Sequence, residues 1–184
     1  MCALALSCAL ALSCALAIGA AAVDGTASEY EVKAAFLFNF TKYVKWPDRA
    51  FADEHAPIVV AVVGIDPFGR ALDDVLREKS VGGRKFDVRR FKTVDDLDTC
   101  HLLFVAPSES GRLAKICEHY KGEPTLLVGD TDHFAGRGGA IGFYIEDKKI
   151  RFEINTDATK RATLELSSQL LKLARIVKDD QGEH

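Results

Sequence analysis

Cysteine and histidine side chains are the obvious candidates for chemistry, and two of them, Cys100 and His101, are adjacent in the chain. A nucleophilic site needs a Ser or Cys, a His that acts as its base, and an acid that orients the His. Neighbouring residues on a strand point to opposite faces, so this pair does not form one. His55, His119 and His184 lie in no nucleophile motif. We therefore predict no catalytic residues and expect that the protein is not an enzyme.

The spacing of the remaining candidate ligands matches none of the common metal, redox or nucleotide motifs. The chain contains neither a CxxC pair nor an HExxH helix, which are typical of zinc sites and of thioredoxin-like chemistry. The glycine-containing turn at residues 64–69 follows a predicted strand, but it has neither GxGxxG nor GxxxxGK[ST] spacing. We predict no metal and no cofactor.

Asp130, Asp132 and His133 follow a buried run of apolar residues and form the most suggestive polar cluster. Open α/β sheets bind ligands at the carboxyl ends of their strands, which is where this cluster would lie. The same residue types also form turns and helix caps, and the sequence leaves that alternative open.

Charge and leader composition restrict where the protein acts and what it binds. The 24 basic and 27 acidic side chains give a formal charge of −3, so we predict no nucleic-acid binding. Residues 2–23 carry no charge, and the small residues before Asp24 resemble a signal-peptidase site. We predict a signal peptide over residues 1–22, cleaved near Ala22, and a periplasmic location. An uncleaved membrane anchor and lipidation at Cys14 are the alternatives.

About 160 residues remain after the leader, which is the length of one domain with its own core. We predict a short linker at 23–28, an α/β domain at 29–178 and a disordered tail at 179–184. Three of the five cysteines lie in the leader, which leaves Cys100 and Cys117. In an oxidising compartment they could form one disulfide, and two separate buried thiols are the alternative.

Apolar periodicity predicts the elements of this domain. Leu37, Phe40 and Val44 recur at helical spacing in a helix that starts at Tyr30 and ends at Pro47. Strands are predicted at 57–63, 85–91, 101–106 and 125–128, helices at 66–78 and 108–120, and a β-hairpin at 141–146 and 149–155. The fold class is therefore α/β, with a mixed, partly parallel sheet flanked by helices.

After the hairpin the sequence predicts one long helix, capped by Asn155 or Thr156. Its apolar stripe is formed by Ala162, Leu166, Leu170, Leu173 and Val177.

Several segments together resemble the YfiR family of periplasmic proteins. They are residues 29–40 with Tyr43, Trp46 and Pro47, residues 63–69, residues 100–105, residues 151–155 and residues 167–177. The resemblance extends in order from Glu29 to Val177. It implies an exported α/β domain without catalytic residues. In the best-known members it implies a regulator that binds the periplasmic part of an inner-membrane diguanylate cyclase, holds it inactive and lowers cyclic-di-GMP and biofilm output.

We therefore predict an inhibitory binding protein whose partner is the periplasmic domain of an inner-membrane diguanylate cyclase or sensor kinase. The oligomeric state is not fixed, and a homodimer is one option. The candidate contact residues are Asp130, Gly139, Arg151, Glu153 and Asn155. Each also has a purely structural explanation, such as helix capping for Asn155. The alternative function is a periplasmic small-molecule sensor or solute-binding protein that acts with a sensor kinase or receptor, with its site at the same end of the sheet.

Overall fold

The structure is a computed structural model that describes residues 25–180. The predicted signal peptide and the two alternatives to it lie outside these residues. The strands are β1 (Val44–Lys45), β2 (Ile58–Val63), β3 (Ser80–Val81), β4 (Arg84–Phe91), β5 (Leu102–Val105), β6 (Leu126–Gly129), β7 (Ile141–Glu146), β8 (Lys149–Asn155), β9 (Glu165–Leu166) and β10 (Arg175–Val177). The helices are α1 (Gly25–Tyr43), α2 (Ala71–Leu76), α3 (Leu113–His119), α4 (Thr156–Arg161) and α5 (Ser168–Leu173), with 3-10 turns at Asp48–Ala50, Val94–Asp96 and Pro107–Arg112.

Eight strands form one mixed sheet in the order β10-β8-β7-β6-β5-β2-β4-β3. The five strands from β7 to β4 run parallel to one another. The strands β8 and β3 are antiparallel to β7 and β4, and β10 runs parallel to β8. This sheet confirms the predicted α/β class. The central strands β2, β5 and β6 are apolar along their whole length because both of their faces are covered.

Helices cover the sheet on both faces. One apolar cluster joins α1, α2 and α5 to the sheet through residues that include Leu37, Leu72 and Leu170. The second cluster joins α3 to the opposite face through Leu113 and Ile116. The predicted apolar face of α1 is confirmed, because Leu37 and Phe40 are fully buried. The helix begins at Gly25, inside the predicted linker, and it ends at Tyr43, before the predicted boundary at Pro47.

The prediction of one long C-terminal helix is wrong. Asn155 caps α4 as expected, but α4 ends at Arg161, and Thr163 adopts a left-handed conformation (φ 55°) that a helix does not continue through. The chain then forms β9 against β1, the helix α5 and the edge strand β10. The apolar spacing was misleading because Ala162, Leu166 and Leu170, which one helix would also have aligned, reach the same core from separate short elements. Leu173, on the predicted stripe, is 71% exposed.

Asp179 and Asp180, which lie in the predicted tail, are bonded to the domain. Asp179 accepts hydrogen bonds from Arg161 and Asn155, and the Asp180 amide donates to the Gly136 carbonyl at 2.8 Å. Within residues 25–180, no helix combines the length and the apolar character that a membrane crossing requires.

Candidate interaction surface

The β7–β8 hairpin is longer than its two neighbouring strands, β6 and β10, and extends beyond both of them. β7 pairs with β6 only in its first two residues, and β8 pairs with β10 only from Glu153 onward. Residues 143–152 therefore project past the carboxyl end of the parallel strands, and we call them the overhanging hairpin. Asp147 and Lys148 at its tip have φ values of 50° and 59°, as a two-residue type I′ turn requires.

One flank of the overhanging hairpin faces α1 across an apolar groove of about 510 Å³. The residues that line this hairpin groove are Glu29, Val32, Phe36, Ile145, Lys148, Lys149 and Ile150. Val32 is 44% exposed and Ile145 is 61% exposed, which is unusual for large apolar side chains so close together. An exposed apolar groove of this kind is typical of a protein-binding surface, with the two lysines at its rim.

Two of the predicted contact residues lie on the other flank, Arg151 within the overhanging hairpin and Glu153 just after it on β8. Arg151 is exposed and Glu153 is partly buried. Tyr144 pairs with Arg151 across the hairpin, and the Arg175 guanidinium lies 4.2 Å from the centre of the Tyr144 ring. Glu146 lies 3.1 Å from Arg175. Tyrosine and arginine are the side chains most often found at binding hot spots, so this flank is a second candidate contact surface.

Asp130 holds a buried ion pair at the carboxyl end of β6. Its Oδ2 accepts hydrogen bonds from Tyr30 Oη at 2.7 Å and from Lys33 Nζ at 2.6 Å. The side chains of Lys33 and Asp130 are each 5% exposed, and Glu29 Oε1 lies 2.5 Å from the same ammonium. Burial, with the Asp130 hydrogen bond as the next contribution, raises the pKa of the Tyr30 hydroxyl. Asp130 Oδ2 therefore fixes α1 to the end of the sheet, and this oxygen is fully engaged within the domain.

Next to this ion pair lies an open, charged groove of about 550 Å³ at the sheet end. Its lining includes Lys33, Asp130, Thr131, Asp132 and Arg137. Asp130 Oδ1 and Thr131 Oγ1 are buried and form no hydrogen bond within the described part of the chain. The cluster of Asp130 and Asp132 that the sequence indicated thus lines a groove where parallel strands end.

Gly139 is required by packing in the structure. A Cβ atom at this position would overlap the ring of Phe134, which is 1% exposed and belongs to the second apolar cluster. Gly139 is itself buried, and packing against Phe134 explains why a glycine occupies this position.

Replacing Gly139 by alanine is expected to destabilise the fold, because the added methyl group displaces the Phe134 ring. Overpacking of this kind costs about 1–3 kcal/mol. Urea denaturation of Gly139→Ala measures the loss, and Gly111→Ala, where a Cβ meets nothing within 4 Å, is the matched control. Adding Phe134→Leu should recover part of the loss, and a fully stable Gly139→Ala would disprove the packing explanation.

The hydrogen bonds of Asn155 are all made within the domain. It is fully buried. Its Oδ1 accepts from the amides of Asp157 and Ala158 at 2.9 and 3.1 Å, and its Nδ2 donates to the Ala135 carbonyl and to Asp179 at 2.7 Å each. All polar groups of the side chain are thereby used within the domain, and none is exposed to a partner.

The two cysteines of the domain are separate free thiols in the structure, which is the second of the two alternatives that the sequence left open. Cys100 Sγ lies 3.5 Å from Tyr120 Oη, whereas Cys117 lies on α3 and faces Gly138. Burial raises the pKa of Cys100 to about 12 and also raises the pKa of Cys117. Both thiols are therefore protonated at neutral pH, which makes them slow nucleophiles.

His101 is a buried structural residue. Its Nδ1 accepts the Val59 amide at 2.9 Å, and Nε2 lies 3.0 Å from the Ala50 carbonyl, so the proton resides on Nε2. Its ring stacks on Phe51 with 4.4 Å between centroids. Burial lowers the pKa of His101, because the charged imidazolium would lose its hydration.

The lowered pKa of His101 predicts a loss of stability in mild acid. Below about pH 6.5 the unfolded chain binds a proton at this residue that the folded chain resists, so the free energy of unfolding falls as pH falls. Urea denaturation between neutral pH and the mildly acidic range measures the slope. His101→Asn should reduce the slope, and His119→Asn, at an exposed position, should retain it. An unchanged slope in His101→Asn would contradict this assignment.

Sequence reasoning missed the apolar residues of the hairpin groove. Val32 immediately precedes the buried Lys33 on α1, and Ile145 lies near the tip of the hairpin. The available signal was that the apolar face of the hairpin continues to Ile145, opposite Ile150, and that Val32 lies four residues before Phe36. It was not decisive, because exposed apolar residues are common on protein surfaces.

The family model described as YfiR/HmsC-like matches residues 30–175. No curated protein matches the chain with significant similarity.

Proposed function

The chain belongs to the YfiR/HmsC-like family, and on this premise we propose that it is a periplasmic regulator that inhibits an inner-membrane diguanylate cyclase. In this role it binds the periplasmic part of the cyclase, favours the inactive state and lowers cyclic-di-GMP. The family match supports the regulatory class and the compartment.

The structural observation that supports this proposal best is the overhanging hairpin. It projects from the sheet. On one flank its exposed Ile145 lines a groove with Val32 of α1, and on the other its Tyr144 and Arg151 lie beside Arg175 of β10. A binding protein of this kind inhibits by occupancy. It shifts the cyclase toward the inactive state only as far as it binds that state more tightly than the active one.

Co-purification tests the proposed partnership. The full chain, tagged at its carboxyl end and expressed with its leader, is isolated from detergent-solubilised envelopes. We expect a membrane diguanylate cyclase to be retained with the wild-type chain and to be lost with a variant that carries charges in the hairpin groove. If a sensor kinase is retained instead, the partner is a kinase and not a cyclase. Absence of any membrane signalling protein would contradict the proposal.

A small-molecule sensor is the second candidate function. The observation that favours it is the charged groove at the sheet end, where Asp130 Oδ1 and Thr131 Oγ1 have no hydrogen-bond partner among the described residues. A metabolite that bound there would raise the melting temperature of the purified chain, and Asp132→Ala would remove that shift. A thermal shift without any membrane partner would favour this function over the first.

A further inference from the structure

One arm of the overhanging hairpin leaves a strand edge open. β6 pairs with β7 only as far as Gly129, whereas β7 continues to Glu146. The edge of residues 143–146 that faces away from β8 therefore has no strand beside it in the described part of the chain. At about 3.3 Å per residue this open edge is about 13 Å long.

β6 does not cover this edge because it ends at Gly129. A Cβ at Gly129 would overlap the ring of Phe134, which therefore packs on the face of the sheet at this position. The chain turns away after Gly129 so that Phe134 enters the second apolar cluster. The position in line with β6, next to residues 143–146, therefore holds no strand among residues 25–180.

A cavity of about 350 Å³ lies beside the open edge, and we call it the acceptor groove. It is lined by Glu29, Lys33, Asp130, Asp132, Phe143, Tyr144 and Ile145. Three carboxylates and one ammonium give this lining a formal charge of −2. One of these carboxylates, Asp130, is 5% exposed, and its Oδ1 has no hydrogen-bond partner among residues 25–180.

We propose that the acceptor groove receives an extended segment of a protein partner, which adds as a strand to β7 in line with β6 and places a Lys or Arg side chain beside Asp132. Strand addition satisfies the backbone groups of an open edge, and the side chains then decide which segment binds. The carboxylates favour a cation, and Ile145 and the neighbouring Val32 favour an apolar residue further along the same segment.

A second copy of this chain fits the groove poorly. Two chains that paired through the same edge would bring two linings of formal charge −2 together, and like charges at an interface oppose association. The occupant is therefore a different protein. This assignment rests on the proposed function, because it specifies the part of the membrane partner that the chain recognises.

Site-specific photo-crosslinking in living cells tests the proposal. A photoreactive amino acid replaces Ile145 in the full chain, and the control position is Ile65, which is 78% exposed and lies in the turn after β2. We expect a cross-link at position 145 to one envelope protein, in a segment with a Lys or Arg close to the attachment point. Asp132→Lys should lower its yield about tenfold through like-charge repulsion. Glu123→Lys, at an exposed position elsewhere, should leave it unchanged.

Hydrogen exchange then tests strand addition itself. When the captured partner domain is bound, amides on the open edge of residues 143–146 should exchange at least about tenfold more slowly, as paired strand amides do. Unchanged exchange, or a cross-link that Asp132→Lys does not weaken, would overturn the proposal even where deletion of the gene raises cyclic-di-GMP. A cyclic-di-GMP level that deletion does not change would instead contradict the proposed function, whatever the cross-link shows.

Discussion

Replacement of Lys33 by methionine is expected to lower the free energy of unfolding by about 3–5 kcal/mol, the usual cost of removing one partner of a buried ion pair. The ammonium of Lys33 lies 2.6 Å from Asp130 Oδ2, and both side chains are 5% exposed. Without the ammonium, the Asp130 carboxylate remains buried with only the Tyr30 hydroxyl at 2.7 Å as its donor. The methionine retains most of the packing of the lysine stem, so the loss measures the charge and its hydrogen bonds.

Urea denaturation of Lys33→Met against the wild-type chain measures this effect. Lys42→Met, at an exposed position of the same helix, is the matched control and should change stability by less than about 0.5 kcal/mol. The double variant Lys33→Met with Asp130→Asn should be more stable than Lys33→Met alone, because it no longer buries an uncompensated charge. Equal stability of Lys33→Met and Lys42→Met would show that the ion pair does not hold α1 to the sheet.

Placing two glutamates in the hairpin groove, by Val32→Glu with Ile145→Glu, is expected to weaken binding to the membrane partner at least about 100-fold. Each unpaired charge that an interface buries costs more than about 1.4 kcal/mol, which corresponds to a factor of ten. Stability should change little, because Val32 is 44% and Ile145 61% exposed in the free chain. Titration of the purified variant against the solubilised partner measures the affinity.

Ile65→Glu is the control for the groove variant. Ile65 is 78% exposed but lies after β2, away from the hairpin, and this change should preserve both binding and stability. Equal weakening by Ile65→Glu would indicate a general effect of added negative charge. Full binding by the groove variant would exclude the hairpin groove from the interface.

Local sequence signals were sufficient for most of the fold. The hairpin was predicted with its observed bounds, because alternating residues on both strands flank the turn at Asp147 and Lys148. The strand at β2 was also evident, since an uninterrupted β-branched run is typical of a strand covered on both faces. The residues that form such a signal lie close together in the sequence, so these elements can be predicted without knowing any tertiary contact.

The C-terminal segment shows where such signals fail. The same spacing of Ala162, Leu166 and Leu170 suits one helix or a series of short elements that reach the core in turn. Pairing of β9 with β1 and of β10 with β8 decides between them, and neither partner strand is near in sequence. Tertiary pairing therefore overrode local periodicity.

The contacts of the candidate residues could be predicted only in part, because several of their partners are distant in sequence. Asp130 was singled out at a strand end, but its partner Lys33 lies 97 residues away, so the ion pair was invisible in the sequence. Asn155 was considered both as a cap and as a contact, and its hydrogen bonds are those of a cap. Arg151 and Glu153 lie on the outer flank of the hairpin, where their role as contacts stays a prediction.

The most direct test of the proposed role is the cyclic-di-GMP level after deletion of the gene. The regulator hypothesis predicts a several-fold rise, reversed by the wild-type chain and by Ile65→Glu but not by Val32→Glu with Ile145→Glu. A level that stays the same after deletion, under conditions in which the protein is produced, would contradict it.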